Sequence, residues 1–190
     1  MADGPSAGRA VDSLAAIEVR RLRPDELPAY KQLRDAALAD DPTAFTSDAE
    51  AESRKAPERY APRLGQDAPF GGVFTLGAWR HAAGAEPGLL GAVSCERDPR
   101  AKVRHIGHII GMMVRRDARG LGVGRRLIAA CIDEARRADG LEMLTLTVTA
   151  SNAAAVHLYE SVGFTRYGSL PHAIKVDGHY HAKDHMVLSL

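Results

Sequence analysis

The sequence predicts one α/β domain built on a mixed sheet. Three observations predict it. Apolar runs at Gly72–Trp79, Leu89–Glu96 and His105–Val114 are separated by turn signals and read as a series of antiparallel strands. Residues 122–138 then switch to helical spacing, with Leu127, Ile128, Cys131, Ile132 and Ala135 on one face and Arg125, Arg126, Asp133 and Arg136 largely opposite. After that helix, Leu144, Leu146 and Val148 alternate again, as in a buried strand.

In chain order, residues 1–14 are small and polar, with Gly4, Pro5 and Gly8, and read as a disordered tail ahead of a domain at 15–190. Ile17 to Leu22 alternates and reads as the first strand. Asp25 suits the cap of a helix that carries Pro28 in its first turn, where a missing N–H costs little. Tyr30, Leu33 and Ala37 recur along that helix, and Asp41-Pro42 closes it. Ala44 to Lys55 reads as helical. Pro57, Pro62, Gly65 and Pro69 interrupt the next stretch, which suits a variable substrate-side segment. The strands at 72–79 and 89–96 form a hairpin across a loop rich in Gly, Ala and Pro, and Asp98-Pro99 marks a turn. Gly140 caps the long helix, Leu141 to Thr149 is the strand after it, and Ser151 or Asn152 caps a short helix reaching Ser161. Gly163-Phe164 opens another strand, Asp177-Gly178 signals a hairpin turn, and His185 to Leu190 is the closing strand. No internal repeat is visible.

Composition bounds the function. The 190 residues suit one domain with a sizeable core. With 25 Lys+Arg against 24 Asp+Glu, the formal charge is +1, which argues against a dedicated nucleic-acid binder. No apolar run approaches the ~20 residues of a membrane span, and residues 1–10 lack the apolar stretch of a signal peptide. The two cysteines, Cys95 and Cys131, are too few and too far apart for a metal cluster or disulfide framework. They read as reduced, buried thiols in a cytoplasmic protein.

The segment with the most chemical content runs from Val114 to Leu127, between a strand and a helix. Gly120, Gly122 and Gly124 let the backbone turn tightly and approach a ligand. The helix start offers unpaired N–H groups and a positive dipole end, a place for phosphate. Arg119, Arg125 and Arg126 add positive charge. The alternative is a tight turn with a solvated basic helix start. Two common nucleotide patterns are absent: Gly124 is followed by Arg125 rather than Lys-Ser/Thr, and Gly-x-Gly-x-Gly is not Gly-x-Gly-x-x-Gly.

The spacing Arg119-x-x-Gly122-x-Gly124 resembles the acetyl-CoA pyrophosphate loop of the GNAT superfamily of N-acetyltransferases. A second match follows in order, Asn152-x-x-Ala155-x-x-Leu158-Tyr159-x-x-x-Gly163-Phe164. The resemblance covers roughly residues 17–190 and is best between Val103 and Phe164. It implies a mostly antiparallel central sheet flanked by helices, splayed between the two strands that receive acetyl-CoA. It implies that backbone amides of Gly120, Leu121, Gly122, Val123, Gly124 and Arg125 hold the pyrophosphate. Met112, Met113 and Val114 would pair with the pantetheine arm, and one of their amides would polarise the thioester carbonyl. Asn152 would hydrogen-bond near the arm, and Tyr159 would point at the sulfur.

A Tyr suits that place. Amine attack on a thioester expels a thiolate, and a neutral phenol can protonate it on departure. No covalent enzyme intermediate is needed. For the base that takes the amine's proton, Glu96, His105 and His108 are candidates beside a water relay. The family's pattern does not fix this position. His172, His179, His181 and His185 invite a metal reading, but zinc sites need three or four converging ligands, and a substrate-facing hairpin is expected instead. The expected activity is acetyl transfer from acetyl-CoA to a primary amine by direct attack in a ternary complex, without metal. The rivals are a CoA-binding module or sensor without turnover and an unrelated phosphate-binding α/β protein. The acceptor is a small-molecule or peptide amine of unstated identity, and a homodimer, common among proteins of this resemblance, is proved by no residue here.

Overall fold

A computed structural model of the chain describes residues 17–68, 70–81 and 88–190. The expected tail at 1–14, Pro69 and most of the expected hairpin loop at 81–88 lie outside them. Seven strands form one sheet: β1 (Ile17–Arg21), β2 (Phe74–Arg80), β3 (Gly88–Arg97), β4 (Ile106–Val114), β5 (Met143–Thr149), β6 (Thr165–Val176) and β7 (His179–Ser189), in the order β1-β2-β3-β4-β5-β7-β6. Only β4 and β5 run parallel; every other neighbouring pair is antiparallel. This is the mixed, mostly antiparallel sheet that the sequence led us to expect.

Four α-helices among the described residues dress the sheet: α1 (Leu27–Asp40), α2 (Ala49–Ser53), α3 (Val123–Arg136) and α4 (Ala153–Glu160), with a 3₁₀ segment at Pro57–Leu64. The strands β2 and β3 bury both of their faces, which is why they read as continuous apolar runs rather than alternating ones. On one face, Val123, Leu127, Ile128, Cys131, Ile132 and Ala135 of α3 pack against Phe74, Leu76, Leu90 and Val93. On the other, Leu27, Tyr30, Leu33 and Ala37 of α1 join Tyr60 and Leu64 over Trp79, Leu89 and Met113. No helix among the described residues is long and apolar enough to cross a membrane.

Three expectations change. Only Ala49–Ser53 of the stretch 44–55 is helical, started by Asp48, whose carboxylate accepts from Ala51 N at 2.8 Å. Residues 43–47 instead form turns and bends tied to the sheet: Thr149 Oγ1 donates to the carbonyl of Thr43 at 2.6 Å and Lys183 Nζ to that of Ala44 at 3.3 Å. The closing strand starts at His179, not His185, because Asp177 (φ 48°) and Gly178 (φ 82°) make a tight turn with both residues left-handed, the geometry Asp-Gly favours. The first helix is capped at Glu26 after a short 3₁₀ turn, one residue later than expected.

Gly91 of β3 sets how closely α3 lies on the sheet. A Cβ there would stand 2.7 Å from the carbonyl oxygen of Met113 and 2.9 Å from Leu127 Cδ1. The Gly91→Ala variant must push α3 or β4 away, and we expect it to lose about 1–3 kcal/mol of unfolding free energy, the usual cost of overpacking. The check is urea unfolding, with a lower midpoint at an unchanged slope.

Candidate active site

The parallel pair β4–β5 is short. It holds at Ile106↔Met143, Gly107↔Leu144 and His108↔Thr145 and then ends. On its other side β4 slips register against β3: Met113 faces Ala92, yet Ile110 faces Ser94, so β4 carries one residue more than its partner. Gly111 sits in that bulge at φ +59°, a left-handed conformation that glycine adopts without strain. Between the diverging strands lies a cavity of about 900 Å³, walled by Ile110 to Val114 on one side and Leu146 to Thr149 on the other.

The glycine loop closes one end of this cavity. Gly120 (φ 77°) and Gly122 (φ 74°) are both left-handed, and Gly122 is the N-cap of α3. The helix's first hydrogen bond runs from Arg126 N to the carbonyl of Gly122 at 3.1 Å. Amides from Gly120 to Arg125 therefore precede the ladder and have no backbone acceptor among the described residues. Arg119, Gly120, Gly122, Val123, Gly124 and Arg125 line the cavity; Leu121 does not, and packs on the core instead. The three arginines divide. Arg119 forms an ion pair with Asp41 at the end of α1 and donates from Nε to the carbonyl of Val114 at 3.3 Å. Arg126 donates to the carbonyl of Ile17 at 3.2 Å, behind the loop. Arg125 is exposed at the cavity.

From the other side α4 presents Asn152, Ala155, Leu158 and Tyr159. Asn152 Oδ1 accepts from Ala155 N at 3.1 Å, so its carbonyl caps the helix and only its amide NH₂ is left for a ligand. Tyr159 is buried against Phe164, their rings edge to face at 6.0 Å. Burial, with a contribution from Cys131, pushes its phenol well above the ordinary tyrosine pKa, so the hydroxyl stays protonated at any working pH.

The cavity is also polar in part, and this was largely hidden from sequence reasoning. Arg34, Arg63, Glu96 and Lys183 line it. Arg34 donates from Nε to Glu52 Oε2 at 2.9 Å, and Tyr60 donates to the same oxygen at 2.6 Å. Arg63 Nε lies 3.3 Å from Glu96 Oε1, and its Nη1 donates to Tyr30 Oη at 3.3 Å. Of the expected bases, Glu96 reaches the cavity and His108 does not. His108 belongs to the last pair before the strands part; its exposed ring turns sideways, with Nδ1 2.7 Å from Thr145 Oγ1. His105 precedes β4 and is likewise not among the lining residues.

Comparison with known proteins agrees with this fold. The family model of the acetyltransferase (GNAT) family matches residues 30–164. N-alpha-acetyltransferase 30 of Saccharomyces cerevisiae is 34% identical over 77 residues, which cover 40% of this chain and 43% of that protein. The chain thus spans less than half the length of this curated relative. The crystal structure of the acetyltransferase of GNAT family from Streptococcus pneumoniae superposes with a TM-score of 0.79 at 26% identity, over 92% of this chain and 99% of that one. A Salmonella typhimurium protein solved with its cofactor acetyl-CoA shares the fold at a TM-score of 0.72 and 22% identity, over 92% and 94% of the two chains.

Glu52 gives the site's polar wall a pH dependence. Burial alone would raise its pKa, but hydrogen bonds from Lys55, Tyr60 and Arg34 outweigh burial and bring it from 4.5 down to about 2. A carboxylate depressed in the folded state stabilises above its unfolded pKa and loses that contribution as pH falls. Wild-type stability should therefore decline from about pH 4.5 toward pH 2. Glu52→Gln should flatten that part of the profile and cost about 3–5 kcal/mol at neutral pH, the range for breaking a buried pair from one side. Denaturant titrations at stepped pH read both.

Proposed function

This chain belongs to the acetyltransferase (GNAT) family, and from that premise we propose that it moves the acetyl group of acetyl-CoA to a primary amine by direct attack. The observation that carries the reading is the convergence on one cavity of three things: a glycine loop with free amides, a strand edge broken at Gly111, and a neutral Tyr159. Amides of Gly120 to Arg125 would hold the pyrophosphate, with the α3 dipole and Arg125 assisting. The unpaired edge of β4 at Met112 to Val114 would take the pantetheine arm as a short extra strand, and Asn152 would reach it with its NH₂.

Chemistry then follows from position. The amine nitrogen attacks the thioester carbon; the carbonyl oxygen gains negative charge and is met by an N–H of the β4 bulge. The C–S bond breaks, and the departing sulfur takes the proton of Tyr159 Oη. Glu96, braced by Arg63, accepts the proton that the amine must lose, directly or through one water. A sensor without turnover would have no use for a protonated phenol in this cavity, so the placement of Tyr159 supports catalysis over binding alone.

The primary test is thiol release from acetyl-CoA with a panel of amines. Tyr159→Phe keeps the ring on Phe164 and removes the donor; kcat should fall roughly ten- to a thousandfold with acetyl-CoA affinity little changed, the lower part of the range for a general acid. Full kcat in that variant would return Tyr159 to a packing role.

Gly124 tests the loop separately. A Cβ there would stand 3.2 Å from Leu158 Cδ2 and 3.5 Å from Met112 Cε. The branches of Gly124→Val would fill the gap between loop, β4 and α4. Calorimetry should show at least a tenfold rise in the Kd for acetyl-CoA, about 1.4 kcal/mol or more, in a protein whose circular dichroism is unchanged. Unchanged affinity would take the loop out of the site.

A further inference from the structure

The cavity carries more positive charge than its carboxylates answer: Arg34 is paired with Glu52 and Arg63 with Glu96, and Lys183 has no such partner among the described residues. Arg34, Arg63 and Lys183 line it, and Glu96 is the carboxylate that lines it with them; Asp41, also on the cavity, is engaged by Arg119. Arg34 is buried and spends Nε on Glu52 and Nη2 on Ser47 Oγ at 3.0 Å. Its Nη1 holds no hydrogen bond among the described residues and stands 3.9 Å from where a Cβ on Gly111 would be. Arg63 Nη1 lies at the same distance from that point. Two guanidinium groups thus meet at the bulge where the acetyl group is expected to sit.

Lys183 is the strongest sign. It is 7% exposed and lines the cavity. Its ammonium donates once, to the carbonyl of Ala44 at 3.3 Å. Two of its hydrogens have no protein partner, and no carboxylate lies within ion-pair reach among the described residues. Burial alone lowers its pKa. An ammonium out of water without a counter-ion is costly, and an anion in the cavity would remove that cost.

We propose that the acceptor is a small amine carrying its own carboxylate, as a free α-amino acid does, with the carboxylate held among Arg34, Arg63 and Lys183 and the amino group turned to Glu96. A simple monoamine or a polyamine would bring only positive charge to this wall. A peptide N-terminus would bring an amide where the carboxylate belongs. A carboxylate fits the planar donors of arginine and fills the open valences of Lys183. This rests on the acyl-transfer reading and narrows it.

The test pairs each of a set of L-α-amino acids with its own α-carboxamide as acceptor. The free acids should be favoured in kcat/KM by roughly ten- to a hundredfold, the worth of one hydrogen bond to a charged group. In Lys183→Met, which keeps the volume and drops the charge, that ratio should shrink at least tenfold; acetyl-CoA affinity by calorimetry reports that the variant's cleft is formed. Amides acetylated as well as acids, or an unchanged ratio in the folded variant, would overturn the proposal while leaving acyl transfer standing, and Lys183 would then be a tether for the 43–47 loop. Should acetyl-CoA bind but no amine be acetylated, acyl transfer is what fails. Calorimetry of N-acetyl-amino acids against N-acetyl-amino amides on the coenzyme A complex then decides the carboxylate site: preference for the acids supports it, and equal or absent binding overturns it.

Discussion

The parting of β4 from β5 after His108 and Thr145 is the constraint on which the rest of the molecule depends. A parallel pair inside a sheet normally continues until both strands end, because each unpaired N–H or C=O shut away from water is costly. Here it stops with six residues of β4 still to come. The bulge at Gly111 makes the stop possible by letting β4 keep its pairing with β3 on one side while it leaves β5 on the other. What remains is a strand edge in the middle of a sheet, open to a guest that brings its own amides.

Everything around that edge is placed by it. The helix α3 follows β4 and α4 follows β5, so their N-termini flank the mouth of the gap from two sides. Gly91 lets α3 lie close on the sheet, with Val123 of its first turn at the cavity. The loop at 43–47 crosses over and is tied by bonds from Thr149 and Lys183, residues of the two strands beyond the gap. Arg119 ties the glycine loop to Asp41 at the end of α1. The opening is therefore braced on all sides by contacts between segments far apart in sequence.

That distance explains what was legible beforehand. The glycine loop, the amphipathic α3 and the helix bearing Asn152 and Tyr159 are written in local spacing, and each formed where expected. The cationic wall is not local. Lys183 lies in a stretch where four histidines draw attention, and nothing within ten residues says that it will be buried; the loop that buries it lies 139 positions earlier. Arg119 has the expected place in its motif, yet its side chain went to Asp41, 78 residues away. Arg63 and Tyr60 sit in a proline-broken 3₁₀ segment whose period is neither helical nor extended. His108 was a fair candidate by residue type, and only the point at which two strands diverge puts it on the wrong side.

The proposed direct transfer, rather than relay through an acyl-enzyme, is supported by where the nucleophilic groups lie. Burial pushes the Cys95 thiol up to about 12, with the Glu96 charge adding to it, and burial likewise raises Cys131. Both are fully enclosed, neither lines the cavity, and a thiol held protonated is no nucleophile. The same physics serves the opposite purpose at Tyr159. Burial keeps its phenol neutral too, but this side chain does reach the cavity, so in the proposed reaction its O–H would be there for the sulfur that departs beside it. Negative charge would build on that sulfur only as the tetrahedral intermediate collapses, so the donor has nothing to act on until the acceptor amine has attacked.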